Sequence, residues 1–153
     1  MLPSPTLSLV CNYTVELGPI KELGTAPGGK RRIIPIIGGT VVGPRIQGKL
    51  LNVGADWQTV FANGSAELDT LYAIETFDGA VIEVINFGYR HGSAHVLAKL
   101  ARGEDVPPQD YYMRTIARLE TGDERYDWVN ATVFVGTGAR KKTQVLMSLY
   151  AVE

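Results

Sequence analysis

The chain has 153 residues, 45% hydrophobic and 20% charged, an ordinary composition for one soluble globular domain with a core of its own. Its formal net charge of -1 provides no electrostatic pull toward nucleic acid or an anionic membrane. A single cysteine, Cys11, excludes an internal disulfide framework, and its place in an alternating stretch marks it as a small buried hydrophobe. No apolar run approaches the roughly 18 residues of a spanning helix. Residues 1–14 lack the basic and long apolar segments of a secretory signal. The expected compartment is therefore the cytosol, where the sequons at Asn12, Asn63 and Asn130 are chance matches.

Glycines and prolines are spread along the whole chain, as punctuation between many short strands. Leu7, Leu9, Cys11, Tyr13 and Val15 alternate with polar residues and predict a half-buried strand. Residues 18–30 read as a loop. Arg32 to Val42 is continuously apolar and predicts a strand buried on both faces, with Pro35 at an edge or bulge and Gly38-Gly39 at a sharp bend. Strands are expected at Arg45–Asn52 and Asp56–Phe61. Ala66–Thr76 and Ala80–Tyr89 then form a hairpin about Asp78-Gly79. A short helix is expected from Ala94 to Arg102, capped by Ser93 and stopped by Gly103. Strands follow at Tyr111–Glu120, Tyr126–Val135 and Thr143–Val152, with a turn or loop over Gly136–Lys142. The sum is one all-β domain over 1–153: a closed antiparallel β-barrel of about eight or nine strands with one short helix. Closure removes the edges such a sheet would otherwise expose. Several strands are apolar on both faces, which predicts an outer wall covered by another copy of the chain, a homo-oligomer.

The sequence offers few established catalytic signatures. There is no phosphate-binding loop, dinucleotide fingerprint or nucleophile elbow, so no cofactor is expected. His91 and His95 stand four apart, but Gly92 interrupts the helix they would need, so no metal site is expected. The basic triplets Lys30-Arg31-Arg32 and Arg140-Lys141-Lys142 fall at expected strand ends or turns. Solvated loop charge is their expected role, and a phosphate or carboxylate site is the alternative.

What remains is acids, arginines and phenols among aromatics. Asp56, beside Trp57, is a candidate proton carrier, because an indole neighbour desolvates a carboxylate and raises its pKa; the alternative is a local backbone cap. Tyr72 and Asp69, three apart, fall on opposite strand faces. Asn86 and Arg90 share a face with Ile82 and Val84, and there must be satisfied by each other or by a ligand. Tyr112 and Arg114 share a face, where the arginine can hold an enolate or carboxylate oxygen, or pair with Glu120 or Asp69. Trp128 and Asn130 supply a flat apolar wall and an adaptable hydrogen-bonding group.

The ordered stretches RRIIPIIGGTVVGPRIQGKLL, GADWQ, LYAIETFDGAVIEV, YYMRT and LETGDERYDWVNATVFVGTG together resemble the family named domain of unknown function 3237, over nearly the whole chain. That resemblance implies a small single-domain antiparallel barrel, similar in architecture to allene oxide cyclase and dirigent-type barrels, with a ligand-holding interior. The expected function is a cofactor-independent isomerase, cyclase or dehydratase acting on a small apolar or aromatic metabolite. Asp56, Tyr72 and Arg114 would be catalytic, and Trp57, Asp69, Asn86, Tyr112, Glu120, Trp128 and Asn130 would bind substrate. The alternatives are a non-catalytic barrel carrying a small hydrophobic ligand, and a structural oligomer with a filled lumen.

Overall fold

Side chains alternate sides along an extended backbone, so a period-two sequence becomes a wall with one face in and one face out. The computed structural model describes residues 1–153 and contains ten strands: β1 (Leu7–Leu17), β2 (Lys21–Ala26), β3 (Gly29–Val42), β4 (Gly48–Leu50), β5 (Gly54–Val60), β6 (Ala66–Thr76), β7 (Val81–His91), β8 (Tyr112–Glu120), β9 (Val133–Arg140) and β10 (Gln144–Val152). One α-helix, α1 (Ala94–Ala101), follows β7, and 3-10 segments span Pro108–Asp110 and Glu124–Ala131. Every pairing is antiparallel, and β3 pairs back onto β1 to close the sheet. The strands β4 and β5 succeed one another between β3 and β6. The ring therefore has eight positions, with β2 hairpinned onto β3 outside it. A ring of eight has an interior just wide enough for side chains or one small ligand.

The expected hairpin forms in register from Ala66↔Arg90 to Glu75↔Val81. Its turn is held by Thr76, whose hydroxyl accepts from the Ala80 N–H at 2.9 Å, and by Gly79 at φ 91°. Ser93 caps α1 by accepting from the Val96 N–H at 3.2 Å, and Gly103 stops it at φ 76°. The barrel closes through Gly39, where a Cβ would lie 1.9 Å from the Thr14 carbonyl oxygen. Phe134, Ile74, Ile82, Leu119 and Leu149, all essentially inaccessible, fill the interior away from α1.

Five expectations are corrected. Residues 18–30 hold β2, and the strand expected at Arg45–Asn52 shrinks to Gly48–Leu50. The run Arg32–Val42 is not buried on both faces: Ile37 is 46% and Val42 66% exposed, since no layer covers the outside of β3. No strand occupies Tyr126–Ala131. There Asp123 accepts from the Arg125 N–H, and Asn130 bridges Thr121 through both its N–H and carbonyl, so local side-chain bonds outcompete a strand ladder. The loop expected at Gly136–Lys142 is instead most of β9. Gly136 and Gly138 face inward, where a Cβ would stand 2.5 Å from Thr115 Oγ1 and 2.8 Å from Met147 Sδ. Here glycine provides close approach, not a turn.

Candidate functional site

Toward the α1 end the interior becomes polar. A cavity of about 50 Å³ lies between Asp56 and Gln58 of β5, Tyr72 of β6, Asn86 and Arg90 of β7, and Thr115 of β8. That is room for a few waters, at roughly 10–15 Å³ each. These strands are consecutive around the ring. The remaining wall is aliphatic and comes mainly from β1, β3 and β10: Val15, Leu17, Ile34, Ile36, Val145 and Met147. The lumen is thus a slot with one polar wall and one apolar wall.

The polar wall is wired in sequence. Arg32 Nε donates to Gln58 Oε1 at 2.8 Å, and Gln58 Nε2 donates to Asp56 Oδ2 at 2.9 Å. The Asp69 N–H donates to Asp56 Oδ1 at 3.0 Å. Burial pushes the Asp56 carboxyl above its ordinary 3.8, against the opposing pull of these two bonds and of the Arg90 and Arg32 charges. The Tyr13 and Tyr72 hydroxyls meet at 2.5 Å, and Asn86 Nδ2 donates to Tyr72 Oη at 3.4 Å. Burial raises both phenols, Tyr72 to about 12, so each keeps its proton at neutral pH.

Three buried polar atoms on this wall have no hydrogen-bond partner: Asn86 Oδ1, Arg90 Nε and Thr115 Oγ1. They are the only such side-chain atoms in the chain, and all belong to residues lining this cavity. Arg90, 8% exposed, enters none of the six ion pairs. Burial, reinforced by Arg140 and Arg32, depresses its pKa to about 10. Arg90 and Arg140 also line a second, more open cavity of about 440 Å³ under α1, walled by Leu97, Leu100, Arg32 and Val60. The two arginines stand between the lumen and this vestibule.

Of the residues expected at the site, Asp56, Tyr72 and Asn86 face the cavity. The others do not meet them. Arg114 and Tyr112 share a face, as expected, but it is the outer one, because Met113, Thr115, Ala117 and Leu119 take the inward positions of β8. Arg114 Nη1 donates to the Met113 carbonyl, and Tyr112 stacks on His91 at 4.5 Å. Trp57, 46% exposed, and Asp69 and Glu120 also point outward. Trp128 packs on Phe134 with the Arg45 guanidinium 3.8 Å over its ring, and Asn130 clamps Thr121. The placement of Arg114 removes it from any catalytic role in the lumen. Sequence reasoning passed over Tyr13, Gln58 and Thr115, and gave Arg32 and Arg140 to solvated loops. A signal existed for two of them: Tyr13, between Cys11 and Val15, and Thr115, between Met113 and Ala117, sit at the inward parity of strands whose neighbours there are apolar, whereas Gln58 had Val60 but also the polar Asp56.

Comparison with known proteins agrees with this architecture. A protein of Rhodopseudomonas palustris, UPF0311 protein RPA1785, is 42% identical over 152 residues, covering 99% of each chain. Its crystal structure superposes over the full length of both chains with a TM-score of 0.92. A β-barrel-like protein of Acinetobacter baumannii, ABAYE2633, is 44% identical with a TM-score of 0.89, covering 100% of this chain and 99% of the other. An enzyme from Penicillium herquei shares the fold at a TM-score of 0.75 and 20% identity, covering 100% of this chain and 98% of the other. Residues 5–152 match the family described as "Protein of unknown function (DUF3237)", and the chain belongs to that family.

Proposed function

We propose that this barrel is a cofactor-independent enzyme of the isomerase, cyclase or dehydratase type, acting on a small apolar or aromatic metabolite held in the lumen. The observation that carries the reading is the convergence of Asn86 Oδ1, Arg90 Nε and Thr115 Oγ1, all buried and unpartnered, on one cavity. Leaving such atoms unpaired costs about 1–3 kcal/mol each, so they mark a place where a ligand or water completes the structure. The chemistry available is proton transfer. Asp56 is the one carboxylate on the wall, and burial moves its pKa toward neutrality, as suits an acceptor. Tyr72 holds its proton and offers a donor to a developing oxyanion, with Tyr13 and Asn86 fixing its hydroxyl. The aliphatic wall would bind the unreactive body of the substrate.

The test is exchange of enolisable protons. A panel of small aryl ketones, including 2-tetralone and phenylpyruvate, is incubated with protein in deuterated water and followed by proton NMR. Wild type should accelerate exchange of at least one member. Asp56→Asn and Tyr72→Phe, folded by circular dichroism, should each lose roughly 10²–10⁴-fold of that rate. Binding of the panel without exchange would replace this reading with that of a non-catalytic ligand carrier, and full exchange by both folded variants would remove Asp56 and Tyr72 from the chemistry.

A further inference from the structure

We propose that the α1 end of the lumen is an anion subsite, in which Arg90, flanked by Arg32 and Arg140, takes the carboxylate of a small apolar acid. The inference rests on the reading of the lumen as a ligand site and adds the class of ligand.

The three arginines come from β3, β7 and β9, so only closure of the barrel brings them together. Arg32 and Arg140 are each the inward member of one of the two basic triplets. Arg90 and Arg140 line the lumen cavity, whose one carboxylate is Asp56; Arg32 lines the vestibule beside them, and none of the three enters an ion pair. Within the lumen cavity, two guanidiniums against one carboxylate leave one positive charge unmatched. Elsewhere this chain pairs arginine readily: Arg125, in open solvent, donates to both Asp123 oxygens and to the Asp78 carbonyl. The buried Arg90 has instead an unpartnered Nε–H at the cavity wall.

A guanidinium presents Nε–H and one Nη–H as a planar fork that matches the two oxygens of a carboxylate. A monoanion fits better than a phosphate dianion, because Asp56 on the same wall repels a second negative charge and the aliphatic wall solvates none of it. The cavity of about 50 Å³ holds only a few waters by itself, so the apolar body would lie against Ile34 and Ile36 only after the flexible Met113 and Met147 side chains swing aside. The vestibule under α1, lined by the same Arg90 and Arg140, gives the acid a positively charged way in.

The experiment uses NMR of the whole protein with the Arg90 Nε–H resonance assigned. Benzoate and hexanoate are titrated alongside their neutral counterparts benzamide and hexanamide, and inorganic phosphate. The Met113 and Met147 ε-methyl signals report occupancy of the lumen by anything. We expect at least one carboxylate to move the Arg90 Nε–H saturably and to bind about tenfold or more tightly than its amide. Arg90→Gln should abolish that preference, so that acid and amide then bind about equally. If acids and amides move the methyls equally, the anion subsite is wrong and the ligand pocket stands. If no probe moves either reporter, both fall. Phosphate binding more tightly than the carboxylates would overturn the carboxylate assignment. Should Arg90→Gln not fold, the wild-type Nε–H titration against the amides decides alone.

Discussion

The lumen makes an unusual demand at Arg90, and replacing it should raise stability. A charged guanidinium that is 8% exposed, without an ion pair and with its Nε unpartnered, is held in the folded state at a cost. The fall of its pKa from 12.5 to about 10, at about 1.36 kcal/mol per pH unit, corresponds to about 3 kcal/mol against the charged folded form. Arg90→Met keeps most of the stem's packing against the lumen and removes the charge. Some of the gain is returned, because Asp56 loses an attractive neighbour. The net expectation is a stabilisation of about 1–3 kcal/mol. At roughly 2–4 °C per kcal/mol for a domain of this size, Tm should rise by about 2–12 °C.

Thermal and urea melts by circular dichroism at about pH 7 read this directly. The sign also carries a pH signature. A group with a depressed folded pKa binds fewer protons in the folded state, so its penalty is complete below about 10 and fades as pH rises toward 12.5. The stability difference between variant and wild type should therefore be flat near neutrality and shrink in strong base. A variant destabilised by more than about 1 kcal/mol would refute the reasoning, since Arg90 would then be a structural group whose partners are protein.

Three further predictions follow from the same geometry. Burial raises Asp56 above 3.8, so the folded state holds its proton more tightly than the unfolded state; stability should fall as pH climbs from 3.8 through the raised value, and urea melts of Asp56→Asn should lack that fall. At Gly88 a new Cβ would lie 2.0 Å from the Arg114 carbonyl oxygen, backbone that cannot retreat, whereas at Gly138 it meets the mobile thioether ends of Met147 and Met113 at 2.8 and 3.0 Å. Gly88→Ala should thus cost about 3 kcal/mol or more, and Gly138→Ala about 1 kcal/mol with a smaller lumen, a ranking that equal Tm losses would disprove. The outer wall of β6–β8 leaves Leu71, Ile85 and Ile116 39–61% exposed on adjoining strands; sedimentation should show a dimer or larger at micromolar concentration that Ile116→Lys weakens, and a clean 16.6 kDa wild-type monomer would contradict it.

Legibility in the sequence tracked the range of the forces involved. The hairpin of β6 and β7 was readable because a turn residue and two alternating strands agree locally, and α1 because its cap and stop lie within one turn of it. The strand expected at Tyr126–Val135 failed because Asp123 and Asn130 bond to nearby backbone, which a periodicity count does not register. Parity was legible and absolute direction was not. Tyr112 with Arg114 and Asn86 with Arg90 were each rightly placed on one face, but which face looks inward is decided by ring closure between β1 and β3, distant in sequence. Asn86 and Arg90 stand among Ile82 and Val84, and that apolar company was the usable clue. Tyr112 and Arg114 had only Ile116 for such company, and were set outside. The two basic triplets could not be joined from sequence, since Arg32 and Arg140 lie 108 positions apart and meet only because β3 and β9 belong to one barrel.

The division of the lumen into two walls bears on how a reaction there would be oriented. The proposed proton acceptor and donor sit on neighbouring strands, Asp56 on β5 and Tyr72 on β6, and both are buried. Burial raises both, but from different starting points: the carboxyl rises from 3.8, and the phenol reaches about 12. At neutral pH the phenol therefore keeps its proton, so in the proposed reaction Tyr72 would stabilise an oxyanion by donation rather than by giving the proton away. Net proton movement would then fall to Asp56, the one carboxylate on that wall, since burial keeps the Tyr13 phenol protonated as well. A ligand anchored by its anion at Arg90 and by its body against the aliphatic wall would present one face to β5 and β6. Chemistry would follow on that face alone, which is what an isomerase or cyclase without a cofactor needs from its scaffold.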